Sequence, residues 1–111
     1  MLMQDYVEHY LMVLAENTEC NMRSSRKVTC TKSATVIING TNPIDLLQDK
    51  VVHVNGVEVL LPYSDGEVVV RRASSKFVFV EGHGFLVKWD GINRLYVTLY
   101  PDYMHRVSVT K

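Results

Sequence analysis

Cysteine is scarce in this chain: two residues, Cys20 and Cys30, among 111. Without histidines at ligand spacing they leave a zinc centre short of donors. Charge of one sign is missing too, since 12 Lys and Arg balance 12 Asp and Glu. With no basic face for phosphates, nucleic acid is not expected as a partner. No segment approaches the ~20 consecutive apolar residues of a bilayer-crossing helix, so no membrane span is expected. The first sixteen residues carry Asp5, Glu8 and His9 among apolar ones. They lack the basic start and unbroken apolar run of a signal peptide. No Gly-rich phosphate loop opens a helix, and no G-x-S-x-G elbow presents a serine. The sequence therefore predicts no enzyme, no metal and no cofactor.

What is present is β structure. Apolar residues make up 47% of the chain, enough for the one modest core that a domain of this size holds. From Val28 onward Val, Ile, Thr, Tyr and Phe dominate, cut at short intervals by turn residues, as in an all-β sandwich or barrel. Val51-Val52-His53-Val54, Asn55-Gly56 and Val57-Glu58-Val59-Leu60-Leu61 read as a hairpin. Asn-Gly tolerates the positive φ that a type I′ turn needs at both central positions. Phe85-Leu86-Val87-Lys88-Trp89, Asp90-Gly91 and residues 92–100 read the same way, with Leu95, Val97 and Leu99 alternating against polar neighbours. Residues 68–72 and 76–81 supply two more strands joined through Ala73-Ser74-Ser75, and Gly82-His83-Gly84 reads as a hairpin turn. A strand is expected over residues 10–16, residues 1–9 are expected to be poorly ordered, and 108–111 form a C-terminal tail.

Residues able to carry chemistry are few. Cys20 and Cys30 flank a polar, basic loop with Arg23, Arg26 and Lys27. Spacing alone leaves two readings open, a local disulfide worth roughly 2–3 kcal/mol on the chain-entropy model or two separate thiols. Asn39-Gly40-Thr41 is an acceptor triplet for N-glycosylation in an expected turn, meaningful only in a secreted protein. His9, His53, His83 and His105 are scattered and read as strand or surface residues. Arg71-Arg72-Ala73-Ser74 has the form of a basic kinase site but reads more simply as a charged strand end entering a turn. Trp89, ending a strand, reads as a core residue with one donor to satisfy.

In order and spacing these features resemble the von Willebrand factor type D domain over residues 10–107. The resemblance rests on Ala15-Glu16-Asn17 before a cysteine, Val28-Thr29-Cys30-Thr31-Lys32-Ser33, and the Val54-Asn55-Gly56-Val57 turn. It continues in Val70-Arg71-Arg72, Val87-Lys88-Trp89-Asp90-Gly91, Tyr96-Val97-Thr98-Leu99, Tyr103 and Arg106-Val107. It implies a two-sheet antiparallel sandwich, a Cys20–Cys30 bridge, an extracellular home and a glycan at Asn39. The implied role is a non-enzymatic structural and protein-interaction module of a secreted matrix, mucus or adhesion glycoprotein. Its implied partners are other domains of the parent protein or extracellular proteins. The family's opening Gly-Asp-Pro-His and its later Cys-Gly-Leu-Cys-Gly-Asn with an acidic calcium loop have no counterpart here, so the calcium ligands and assembly cysteines do not transfer. The expected sandwich is therefore incomplete at both ends, with exposed strand edges that invite self-association. The alternative is a truncated intracellular product with little independent function, or one that interferes with its full-length relative.

Overall fold

The computed structural model describes residues 11–21, 27–38, 41–66, 68–100 and 107–110. The segment 1–9 lies outside them. Among the described residues eleven strands follow one another: β1 (Leu11–Asn21), β2 (Lys27–Ile38), β3 (Ile44–Leu46), β4 (Val52–Val54), β5 (Val57–Glu58), β6 (Tyr63–Asp65), β7 (Val68–Ala73), β8 (Phe77–Gly82), β9 (Phe85–Trp89), β10 (Leu95–Leu99) and β11 (Val107–Thr110). They form a six-stranded sheet in the order β11-β1-β2-β3-β4-β5 and a five-stranded sheet in the order β10-β9-β8-β7-β6. The two-sheet all-β fold read from the sequence is thus the one observed.

Alternation places the core. Each central strand turns every second residue inward: Leu11 and Val13, Ala34 and Val36, Ile44 and Leu46, Val52 and Val54 from the larger sheet. Val68 and Val70, Val78 and Val80, then Phe85, Val87 and Trp89 meet them from the smaller sheet. Burying each Val or Leu contributes roughly 1.5–3 kcal/mol, and small β-branched side chains suit two pleated faces set against each other. Asn55 (φ 54°) and Gly56 (φ 83°) both adopt the left-handed conformation, as a type I′ turn between β4 and β5 demands.

Three elements differ from expectation. β1 extends to Asn21 because it pairs with β2 all the way to Lys27, forming a ribbon whose outer half, from Leu14 to Glu19, is largely exposed. The register shifts between Glu16 and Asn17, which face Ser33 and Thr31, so Lys32 is the extra residue of a bulge. Asp90-Gly91 is not a two-residue turn. Trp89 pairs with Leu95, leaving residues 90–94 as a longer loop. Finally, β11 lies beside β1 in parallel, Leu11 facing Val107 and Leu14 facing Thr110, the one parallel pairing among the described strands.

The two sheets are stitched at the turn between β3 and β4. There Asp49 (φ 61°) and Lys50 (φ 62°) are both left-handed, a conformation that costs ordinary residues energy and persists where neighbours hold it. The buried Trp89 donates its indole Nε1–H to the carbonyl of Leu47 at 2.7 Å, and the Asp49 N–H donates to the carbonyl of Gly91 at 2.8 Å. Gln48 Nε2 donates to the carbonyls of both Lys32, at 2.6 Å, and Ile92, at 2.8 Å. The bulge of one sheet is thereby joined to the loop of the other. Gly91 (φ +81°) is required at this seam: a Cβ there would stand 2.8 Å from the backbone nitrogen of Lys50. Asp90 organises the loop by accepting the N–H groups of Ile92, Asn93 and Arg94 on Oδ1 at 2.8–2.9 Å. Burial pushes its carboxyl pKa up, but those three bonds and the Arg94 charge outweigh it and hold the group below its ordinary value of 3.8.

Replacing Trp89 by Phe removes a donor and leaves a cavity, and should cost roughly 2–4 kcal/mol in denaturant unfolding. A loss well under 1 kcal/mol would show that the indole bond does not matter to the seam. Asp90→Asn should cost roughly 1 kcal/mol near neutral pH. Because the folded-state pKa of Asp90 is depressed, its contribution is present above the unfolded value and is lost as pH falls through the folded one. The gap between wild type and Asp90→Asn should therefore close below pH 3.8. A gap independent of pH would contradict this account.

Candidate interaction surface

Outside the core, the outer face of the five-stranded sheet carries an array of large side chains in contact. β8 is apolar on both faces: Val78 and Val80 point inward and are buried, while Phe77 and Phe79 lie half-buried on the outside. Register aligns Arg71, Phe79, Lys88 and Tyr96 across four neighbouring strands. The Arg71 guanidinium lies 5.0 Å from the Phe79 ring centre. The Lys88 ammonium sits 5.8 Å from that of Phe77 and 5.2 Å from that of Tyr96. Phe77 and Tyr96 meet edge to face at 6.3 Å. Cations over ring faces, and rings meeting at their edges, follow the sign of the aromatic quadrupole. Arg71 also forms a two-point pair with Glu81, Nε to Oε1 at 2.7 Å and Nη2 to Oε2 at 3.3 Å. The side-chain bond from Arg71 lowers the pKa of Glu81, and the bond from Glu81 raises that of Arg71. Both side chains are about 40% exposed, at 42% and 40%. The pair therefore orders this face more than it stabilises the fold.

The face ends at an open edge. β10 pairs only with β9, so one side of Leu95–Leu99 has no strand partner among the described residues. Tyr96, 44% exposed, belongs to both the ladder and the edge. The other edge strands of the two sheets are shorter: β5 has two residues, β6 three and β11 four.

The cysteines sit away from this face, on the β1–β2 ribbon. Cys30 faces Thr18 and Cys20 faces Val28, so the two occupy diagonal positions of one ladder. Cys30 is half-buried and disulfide-bonded, and Asn93 Nδ2 approaches its sulfur at 4.0 Å. The side chain of Cys20 lies outside the described residues, as does Asn39. Thr41, the third residue of the glycosylation triplet, donates its hydroxyl to the carbonyl of Ile38 at 2.8 Å. Among the described residues no three of His, Cys, Asp and Glu come together as a metal site. No helix among them is long and apolar enough to cross a membrane.

The outer ladder escaped the sequence reading because Phe77-Val78-Phe79-Val80 is apolar at every position, so alternation could not say which pair faces out. The position of Lys88 and Arg71 on either side of Phe79, a matter of register, reveals the face.

Comparison with known proteins follows the fold. SCO-spondin of Gallus gallus is 37% identical over 97 residues, 86% of this chain and 2% of that protein. SCO-spondin of Bos taurus is 34% identical over 99 residues, covering 87% of the chain and 2% of that protein. SCO-spondin of Mus musculus is 30% identical over 98 residues, again 2% of its length. The chain thus spans about one fiftieth of these relatives, as the 2% coverage gives. The family model of the von Willebrand factor type D domain matches residues 1–108, and with two packed sheets, a ribbon carrying both cysteines and a tryptophan-centred seam, the chain belongs to that family.

Proposed function

We propose that the chain is a non-enzymatic structural and protein-interaction module of a secreted matrix, mucus or adhesion glycoprotein. It works by presenting β surface to neighbouring domains of its parent protein or to other extracellular proteins. Family membership supports the extracellular setting. The observation that carries the interaction role is the outer face of the five-stranded sheet, where an aromatic and cationic ladder runs out to an unpaired strand edge at Tyr96. Aromatic rings and arginine are the side chains that contribute most at protein interfaces, and an open edge adds main-chain hydrogen bonds.

In this setting Cys20 is the partner of Cys30, since the chain contains two cysteines and both lie at the same end of the β1–β2 ribbon. The bridge clamps the half of the ribbon that the core does not cover. Asn39 carries a glycan in the same reading. The edge of β10 also offers a second copy of the chain a template for pairing.

Non-reducing peptide mapping of chain secreted from animal cells should recover the two cysteine peptides as one linked species. The Asn39 peptide should change mass on treatment with an N-glycosidase. Free thiols in the secreted material would overturn the bridge and weigh against the secreted reading. Sedimentation of the isolated chain should show association that rises with concentration, and placing lysines at Tyr96 and Thr98 should shift it about tenfold toward monomer without altering the fold. A monomer at all concentrations, with a sharp unfolding transition that does not depend on concentration, would remove the edge from the proposal.

A further inference from the structure

Four cations, Lys50, Arg72, Lys76 and Arg94, line two clefts of the sandwich, and of these Arg94 acts by its charge on the Asp90 carboxylate. Lys50, Lys76 and Arg94 line an open cleft of about 260 Å³, together with Phe77 and Ile92. Lys50 also lines a second cleft of about 240 Å³ that includes Arg72, so one lysine borders both clefts. Asp90 and Glu58 are the acids that border them. The Oδ1 atom of Asp90 already accepts three backbone N–H groups. The ion pair found among the described residues is Arg71–Glu81, and none of the four cations takes part in it. Lys50 is fixed in place by its left-handed backbone and by Gly91, whose missing Cβ would stand 2.6 Å from Lys50 Cγ.

We propose that these two clefts bind the sulfate groups of a sulfated polysaccharide. A single exposed charge contact is worth about 1 kcal/mol or less, so a small anion would be held weakly here. A polymer with repeating sulfates engages several cations at once and releases a counterion at each, which multiplies the affinity. Phe77 and Ile92 offer apolar surface to the flat faces of sugar rings between the charges. The chain as a whole is neutral, so the attraction is confined to this strip. The extracellular reading places such a ligand within reach, but binding in vitro stands or falls independently of it.

The test uses the oxidised 111-residue chain on immobilised heparin as salt is raised. The wild type should be retained at about 50 mM salt and released as salt rises. Replacing Lys76 and Arg94 by glutamine should weaken binding about tenfold and reduce the salt slope by about 2, one for each cation. Lys32→Gln, an exposed lysine outside both clefts, should stay within about twofold of wild type. Unsulfated hyaluronan and neutral dextran should not be retained. Circular dichroism verifies the fold of each variant. Should the double variant fail to fold, Lys76→Gln alone, in an exposed turn, must still weaken binding about threefold. Absence of heparin retention, an equal loss in Lys32→Gln, or equal retention on hyaluronan would each overturn the proposal.

Discussion

The architecture depends on one buried donor. Trp89 has no exposed surface, and its indole N–H reaches across the sandwich to the carbonyl of Leu47. A buried polar atom of this kind must be satisfied, and the protein satisfies it from the opposite sheet. That choice fixes where the β3–β4 turn must lie. It also brings Gly91 against Asp49 and Lys50, and it places Gln48 where one amide reaches both the bulge at Lys32 and the loop at Ile92. Valine packing alone would hold two sheets face to face without fixing their relative position. The seam supplies that position.

From the seam outward, the division of labour between the two sheets becomes clear. The six-stranded sheet extends into a ribbon whose far half is held by strand pairing rather than by burial. The five-stranded sheet keeps its inner face for the core and spends its outer face on rings and cations in register. The loop at 90–94 serves both, since its backbone is gathered by Asp90 while Asn93 reaches toward Cys30.

Much of this was legible in the sequence, for local reasons. Asn55-Gly56 announces its turn because few other pairs accept two positive φ angles, and Trp89 announces itself as a core residue by its size. The remainder was set by contacts distant in the chain. Nothing in Gln48-Asp49-Lys50 signals two consecutive left-handed residues, because the seam that holds them comes from residues forty positions away. Asp90-Gly91 resembles a tight turn until the Asp90 carboxylate is seen collecting three N–H groups, which lengthens the loop. The cysteine pairing was open on spacing and became an expectation only through the family resemblance. The β1–β11 pairing joins segments separated by nearly the whole chain, and no periodicity encodes it.

That last pairing gives the module a direction. β1 and β11 lie side by side and run the same way, with Leu11 beside Val107 and Leu14 beside Thr110. Tension drawn along the backbone from before Leu11 to beyond Thr110 would pull these neighbours in opposite senses along their length. Their ladder bonds would then be loaded together, in shear, instead of opening one after another as in an unzipping hairpin. A domain threaded into a longer chain in this way resists stretching at the strands where the force enters, while the sandwich behind them stays unloaded.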